Sequence, residues 1–250
     1  MRITICENKI ELGAQAAALG RHCIKSTIEK LGRANVAFVT GTSQLEMLKV
    51  LRTKPIQWDK VNVFLLDEFV GLPDGHKASS ETFLKENFLD YLPTIGSFHP
   101  ISRANNVKET LKNLNALMKD YPLDVVFICI GENGHLAFND PPADFDARDP
   151  YIEVTLERRS RRQQVGEGWF STIDEVPGKA ITMSVYEILT ARHIICACPE
   201  QRKAKAVASC IFDDISPSVP CASIRRRTEC ALFLDRQSSC LVFDDFRNKI

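Results

Sequence analysis

The sequence has 250 residues, enough to bury a sizeable core in one domain or at most two. Its 44% hydrophobic and 26% charged residues are ordinary for a soluble globular protein, and 32 Lys plus Arg balance 32 Asp plus Glu, so net charge argues for neither a nucleic-acid nor a membrane partner. Nine cysteines, an odd number without a CxxC pair, read as free thiols in a reducing cytoplasm and indicate neither disulfides nor a metal site. No run of about 18 apolar residues is present to cross a membrane. Glu7, Lys9 and Glu11 interrupt any signal-peptide core at the start.

In chain order, residues 2–6 read as a first strand and 11–31 as an amphipathic, alanine-rich helix. Residues 36–40 form a buried strand running into Gly41, Thr42 and Ser43. Ser43 and Glu46 have the S-x-x-E spacing of a capping box, heading a helix that reaches about Arg52. A strand, a hydroxyl-bearing glycine turn and a helix start together make a phosphate cradle, although many strand–helix junctions also carry Gly and Ser. Residues 61–66 are the next strand, ending on Asp67 and Glu68. Acids at the end of a buried strand call for a partner or a function, the plainer alternatives being a helix cap or a solvated turn. The Gly- and Pro-broken stretch from Val70 to Ala78 reads as a mobile loop over a site, followed by helices at about 80–89 and 106–119.

The stretch from Leu123 to Pro142 opens with an unbroken apolar run of strand length, suited to the middle of a parallel sheet. It breaks at Gly131 and Gly134, and His135, Asn139 and Asp140 crowd its carboxyl end, the usual binding position of an open α/β sheet. The plainer alternative is a core histidine beside a solvated loop. Residues 143–174 read as irregular and charged, with the basic run Arg158, Arg159, Arg161 and Arg162 forming either a solvated face or a fork for phosphate. Strands follow at 180–183, 193–198 and 231–234, with a helix from 199 to about 209. Cys196 and Cys198 share one strand face, which fits buried thiols. Strands and helices alternate without repeat or linker. The expectation is a single α/β domain over 1–250, doubly wound around a largely parallel sheet with helices on both faces.

These junctions resemble the glucosamine-6-phosphate deaminase (isomerase) family. The likeness rests on Asp67-Glu-Phe-Val-Gly-Leu72, on Gly131-Glu-Asn-Gly-His-Leu-Ala-Phe-Asn-Asp-Pro141, on the Thr40-Gly-Thr-Ser43 turn and on Lys203-Ala, in the family's order over nearly the whole chain. The resemblance implies a modified Rossmann-like fold and conversion of glucosamine 6-phosphate to fructose 6-phosphate and ammonia. It implies Asp67 as the base moving a proton from C2 to C1 and His135 as the group that opens the sugar ring. Asn133 and Asp140 match the positions that orient that histidine. Thr40, Gly41, Thr42 and Ser43 match the turn around the phosphate, with Arg162 and Lys203 as its cationic partners. Three positions depart from common family residues: Asn133 for Asp, Asp140 for Glu, and Phe69 for Tyr. The implied partner is a small sugar phosphate, in a cytoplasmic enzyme that needs no metal or other cofactor and could form a homo-oligomer.

Two other readings stand beside it. One is 6-phosphogluconolactonase, where His135 would activate water. Phe69 in place of Arg, and the Ala137-Phe-Asn-Asp-Pro141 segment, favour the deaminase, acting on the gluco or galacto sugar. The other is a ligand-sensing domain of a transcription regulator, for which no helix-turn-helix is expected before Arg2 or after Asp244.

Overall fold

Apolar runs of four to six residues pair side by side here, because a strand covered on both faces has no polar side to alternate with. The computed structural model of the protein describes residues 1–103 and 106–242, so the stretch beyond Asp244 lies outside the described residues. Its strands are β1 (Arg2–Cys6), β2 (Ala34–Phe38), β3 (Val61–Leu65), β4 (Asp67–Phe69), β5 (Ser97–His99), β6 (Val125–Ile128), β7 (Tyr151–Thr155), β8 (Lys179–Met183), β9 (His193–Cys198) and β10 (Cys230–Asp235). Its helices are α1 (Lys9–Leu31), α2 (Leu45–Leu51), α3 (Ser80–Asn87), α4 (Val107–Asp120), α5 (Arg158–Gly166), α6 (Val185–Thr190) and α7 (Ala204–Phe212).

Seven strands form one sheet in the order β1-β10-β9-β6-β2-β3-β5, with every pairing parallel. The α/β class with a largely parallel sheet is therefore as expected, with helices packed around it. β2 and β6 are buried along their whole length and stack Phe38 on Phe127 at 4.9 Å between ring centroids. α1 lies against the sheet, with Gly20 over Phe127 and Ile195, and buries Leu12, Ala16, Ala17 and Ile24. Asn8 starts it by accepting hydrogen bonds from the amides of Ile10 and Glu11. A cap of this kind is worth about 1 kcal/mol.

The order of the strands decides where a ligand can sit. From β2 the chain moves to β3 and β5 on one side, then returns to β6, β9 and β10 on the other. The loops after β2 and β6 thus leave the sheet in opposite directions, opening a crevice at their carboxyl ends.

A second sheet stands beside this one, antiparallel in the order β4-β8-β7, with Asp67 opposite Thr182. The transfer happens at Leu66. Its amide donates to Phe38 O in the first sheet at 3.0 Å, and its carbonyl accepts from the Met183 amide at 2.6 Å. The expected strand at 61–66 therefore divides, and the acid pair begins a strand of its own. Residues 143–174, expected to be irregular, contain β7 and α5. Neither shows a clean period in sequence: β7 is half exposed, and α5 buries only Ser160. β5 and the six-residue α6 are likewise too short for a periodic signal.

Candidate active site

The crevice between β2 and β6 is a cavity of about 700 Å³ including the open space at its mouth, within the range of small-molecule sites. Thr40 to Ser43 line one side and Cys129 to Gly131 the other. Asp67, Ser80, His135 and Lys203 close the floor, and Lys77, Gln163, Gln164, Glu167 and Trp169 form the rim. Residues from six separate stretches thus meet in one place.

Asp67 and Glu68 are neighbours in an extended strand, so their side chains point to opposite faces. Glu68 is fully buried and accepts from the amides of Phe69, Ser80 and Glu81 and from the Ser79 hydroxyl at 2.6 Å. It therefore caps the start of α3, the plainer role weighed for the pair. Asp67 faces the cavity, and among the described residues its carboxyl has one hydrogen-bond partner, the Ser80 hydroxyl, which donates to it at 3.1 Å. Burial pushes the Asp67 carboxyl up to about 7; the Ser80 hydrogen bond and the His135 charge oppose the shift, and the Glu68 charge adds to it. Ser80 also meets the Thr40 hydroxyl at 2.9 Å, tying the base of the acid to the turn after β2.

The turn after β6 is built so that His135 folds back over it. Gly131 donates to His135 O at 3.0 Å, and Gly134 takes a positive φ of 88°. A Cβ on Gly131 would stand 2.2 Å from the imidazole ring, so only glycine leaves room for the histidine there. His135 Nδ1 lies 3.3 Å from Asp140 Oδ1, close enough for charge interaction but off the line of a hydrogen bond. Asp140 accepts from Asn133 Nδ2 at 2.9 Å and from the Ser160 hydroxyl in a short hydrogen bond. Burial alone would raise the Asp140 carboxyl, but the imidazole, Ser160 and Asn133 outweigh it and hold it below its ordinary value. Asn133 Oδ1 in turn accepts from the His135 amide at 3.2 Å. Asn139 plays a different part, since its amide group donates to Leu136 O and Met183 O and fastens this turn to β8.

The turn after β2 differs from expectation. Thr42 to Gln44 form a 3-10 turn ahead of α2, and Ser43 makes no cap bond. Its hydroxyl accepts instead from Lys203 Nζ at 2.7 Å, while Glu46 pairs with Lys49 at 2.9 Å. A charge-assisted bond to a buried ammonium outcompetes an ordinary cap. The S-x-x-E box that does form a cap is Ser184 with Glu187, at the head of α6. Lys203 is 4% exposed and also lies 2.8 Å from Cys129 Sγ. Burial would lower the ammonium, but the sulfurs of Cys129 and Cys198 raise it above its ordinary value.

Arg162 does not join this group. It is exposed and lines the neighbouring groove with Glu132, Asn133, Arg159 and Arg202, whereas Gln163 and Gln164 face the cavity. Arg161 is not the alternative either, since it donates to Val176 O and Ile173 O, bracing the loop below α5. α5 has about 100° of turn per residue, so the register of a basic run cannot be read until the helix is seen. Arg202, next to Lys203, is held by Glu132, Glu167 and Glu200. The hydrogen bonds from Gln163, Arg202 and Trp169 overcome burial and keep Glu167 below its ordinary value. Nothing in the local sequence pattern marks Ser80, Ser160 or Glu167, because each is brought in by another element.

The family profile described as glucosamine-6-phosphate isomerases/6-phosphogluconolactonase matches residues 7–233. The chain belongs to that family. Among curated proteins it is 28% identical to a glucosamine-6-phosphate deaminase of Bacillus cytotoxicus over 241 residues, 96% of this chain and 89% of that one. It is 27% identical over 245 residues to a glucosamine-6-phosphate deaminase of Streptococcus pneumoniae, 97% of this chain and 100% of that one. Among solved structures, a monomeric glucosamine-6-phosphate deaminase superposes with a TM-score of 0.86 at 24% identity, covering 96% of this chain and 100% of that one. A 6-phosphogluconolactonase of Shewanella baltica superposes at 0.77 with 17% identity, covering 94% and 97%. Both structures share the fold. Among the described residues of this family member, no helix is long and apolar enough to cross a membrane.

Proposed function

We propose that the protein is a glucosamine-6-phosphate deaminase, converting the amino-sugar phosphate to fructose 6-phosphate and ammonia. The observation that carries this reading is the buried Asp67 carboxyl facing the same cavity as a carboxylate-backed histidine. Taking a proton from the carbon next to a carbonyl requires a base near its own pKa at working pH, held against the substrate and away from water. Asp67 fits: as the carboxylate it accepts the C2 proton of the open-chain sugar, and as the acid it returns that proton to C1. The resulting imine at C2 is hydrolysed, releasing ammonia and leaving the ketose.

Ring opening precedes this step, and His135 serves it by passing a proton between the C1 hydroxyl and the ring oxygen. Asp140 holds a negative charge beside the imidazole, and Asn133 fixes the backbone at His135. The hydroxyls of Thr40, Thr42 and Ser43, the Gly41 backbone and Lys203 receive the phosphate. That group is remote from the reacting carbons, so its binding energy serves orientation. Gln163 and Gln164 stand on the rim of the same cavity, which Arg162 does not line.

The test is an assay for ammonia and ketose phosphate over hexosamine 6-phosphates of gluco and galacto configuration, with 6-phosphogluconolactone as the rival substrate. Ammonia from an amino sugar with a free amine, lost on acetylation, is the expected result. Rapid lactone hydrolysis without ammonia from any hexosamine phosphate would replace this reading with the lactonase one.

A further inference from the structure

Among the described residues, Cys129 is the one cysteine on the wall of the cavity; the others lie elsewhere, and all but Cys240 are buried in packing. Its sulfur lies 2.8 Å from Lys203 Nζ, whose other hydrogen-bond partner is the neutral Ser43 hydroxyl at 2.7 Å. A buried ammonium is costly without a counter-charge, and no carboxylate among the described residues pairs with Lys203. The protein group within its reach that is able to carry that charge is the Cys129 sulfur. The Cys198 thiol, on the neighbouring strand β9, supports the same charge on Cys129, as do Lys203 and Ser43. The groups that face this sulfur from the surrounding elements are thus the Lys203 ammonium, the Ser43 hydroxyl, the Cys198 and Cys196 thiols and the Ile130 carbonyl, 3.5 Å away. None of them is an acid that would suppress its charge. Desolvation of the site acts in the other direction and is outweighed.

We propose that Cys129 is a modification site, a thiolate paired with Lys203 at the anion end of the cavity, which reacts with hydrogen peroxide and is shielded by bound phosphate. The sulfur attacks one peroxide oxygen and the O–O bond breaks. Hydroxide leaves and takes a proton from Lys203, which regains one from solvent. Sulfur is oxidised to the sulfenic acid, and the peroxide is reduced to water. The added oxygen then stands among Ser43, Lys203 and the Thr40–Ser43 turn, where a phosphate would bind. The thiol chemistry rests on Cys129 and Lys203 alone; only the shielding rests on the reading under Proposed function.

The experiment treats the full chain with dilute hydrogen peroxide and dimedone and follows the adduct on the Cys129 peptide by mass spectrometry. It is run at pH 6.0 and pH 8.0, with and without inorganic phosphate. A thiol of pKa about 8.5 gains roughly 70-fold in thiolate between those pH values. Cys129 is expected to change by less than threefold, and phosphate to slow it at least fivefold. Lys203→Gln should restore a steep rise with pH, and Lys203→Arg should keep the shallow one. A steep wild-type profile, or no adduct on Cys129, overturns the thiolate pairing. A shallow profile unmoved by phosphate overturns the shielding. No arm uses the deaminase reaction. A shallow, phosphate-sensitive profile in a protein that releases no ammonia would therefore keep this site and remove only the functional reading.

Discussion

Replacing Asp67 with Asn should remove activity and increase stability, and the two effects should part company with pH. The carboxyl sits at about 7 in the folded chain against an ordinary value of 3.8 because burial disfavours its charge. A carboxyl raised by folding contributes stability that is intact below its unfolded pKa and is lost as pH rises through the folded one. For a shift of this size the loss amounts to about 2 kcal/mol at pH 5 and about 4 kcal/mol at pH 8.5. Asn keeps the shape and can accept from Ser80, yet never ionises, so it escapes this loss. Chemical denaturation of both proteins at pH 5 and pH 8.5 should show the Asp67→Asn variant gaining on wild type by about 2–3 kcal/mol between the two. At the same time its turnover should fall by about 10²-fold or more while sugar-phosphate binding persists. A stability difference that does not move with pH would mean that the carboxyl is solvated or paired and that the burial argument is wrong. Exchange of the C2 proton with deuterated solvent at the wild-type rate in the variant would remove Asp67 from the mechanism.

Other consequences follow from individual contacts. In wild type, kcat/KM should rise with pH and level off above about 7, the acid limb belonging to Asp67, and Asp67→Glu should move that limb; a profile flat from pH 5.5 to 8 would argue against an ionising base there. Gly131→Ala should lower turnover by about 10²-fold, because its Cβ would drive the His135 ring out of place. A folded, fully active variant, checked by circular dichroism and assay, would refute the close packing. His135→Asn should slow the closed-ring sugar more than a substrate supplied in open-chain form, and Asp140→Ala should give a milder version of the same pattern; equal losses on both substrate forms would give the histidine another role. Lys203→Ala should raise KM by about 10- to 100-fold, the worth of one charge-assisted contact. Arg162→Ala should change KM by less than about threefold, because its side chain stands in the next groove; titration of sugar phosphate into both variants separates the two.

Much of this protein is legible in its sequence, for a local reason. Buried parallel strands must be apolar along their length, so residues 34–38, 125–128, 193–198 and 230–235 announce themselves, and the glycines and polar residues after them mark the ends where ligands bind. The His135 turn is readable in the same way, because its geometry depends on glycines two or three residues apart. Tertiary structure decided what rests on contacts between distant segments. Glu68 and Asp67 carry the same charge on adjacent residues, yet one caps α3 and the other faces the cavity, since the pleat of β4 points them apart and only packing says which side is which. Ser43 has the spacing of a cap but is taken by Lys203, 160 residues away. Arg162 sits in a basic run whose register depends on how α5 is rotated against Asn133 and Asp140 through Ser160. Cys129 reads as an ordinary apolar-run thiol until the fold sets an ammonium beside it. A side chain's neighbours along the chain set its backbone; its charge and its role are set by neighbours that the fold brings in.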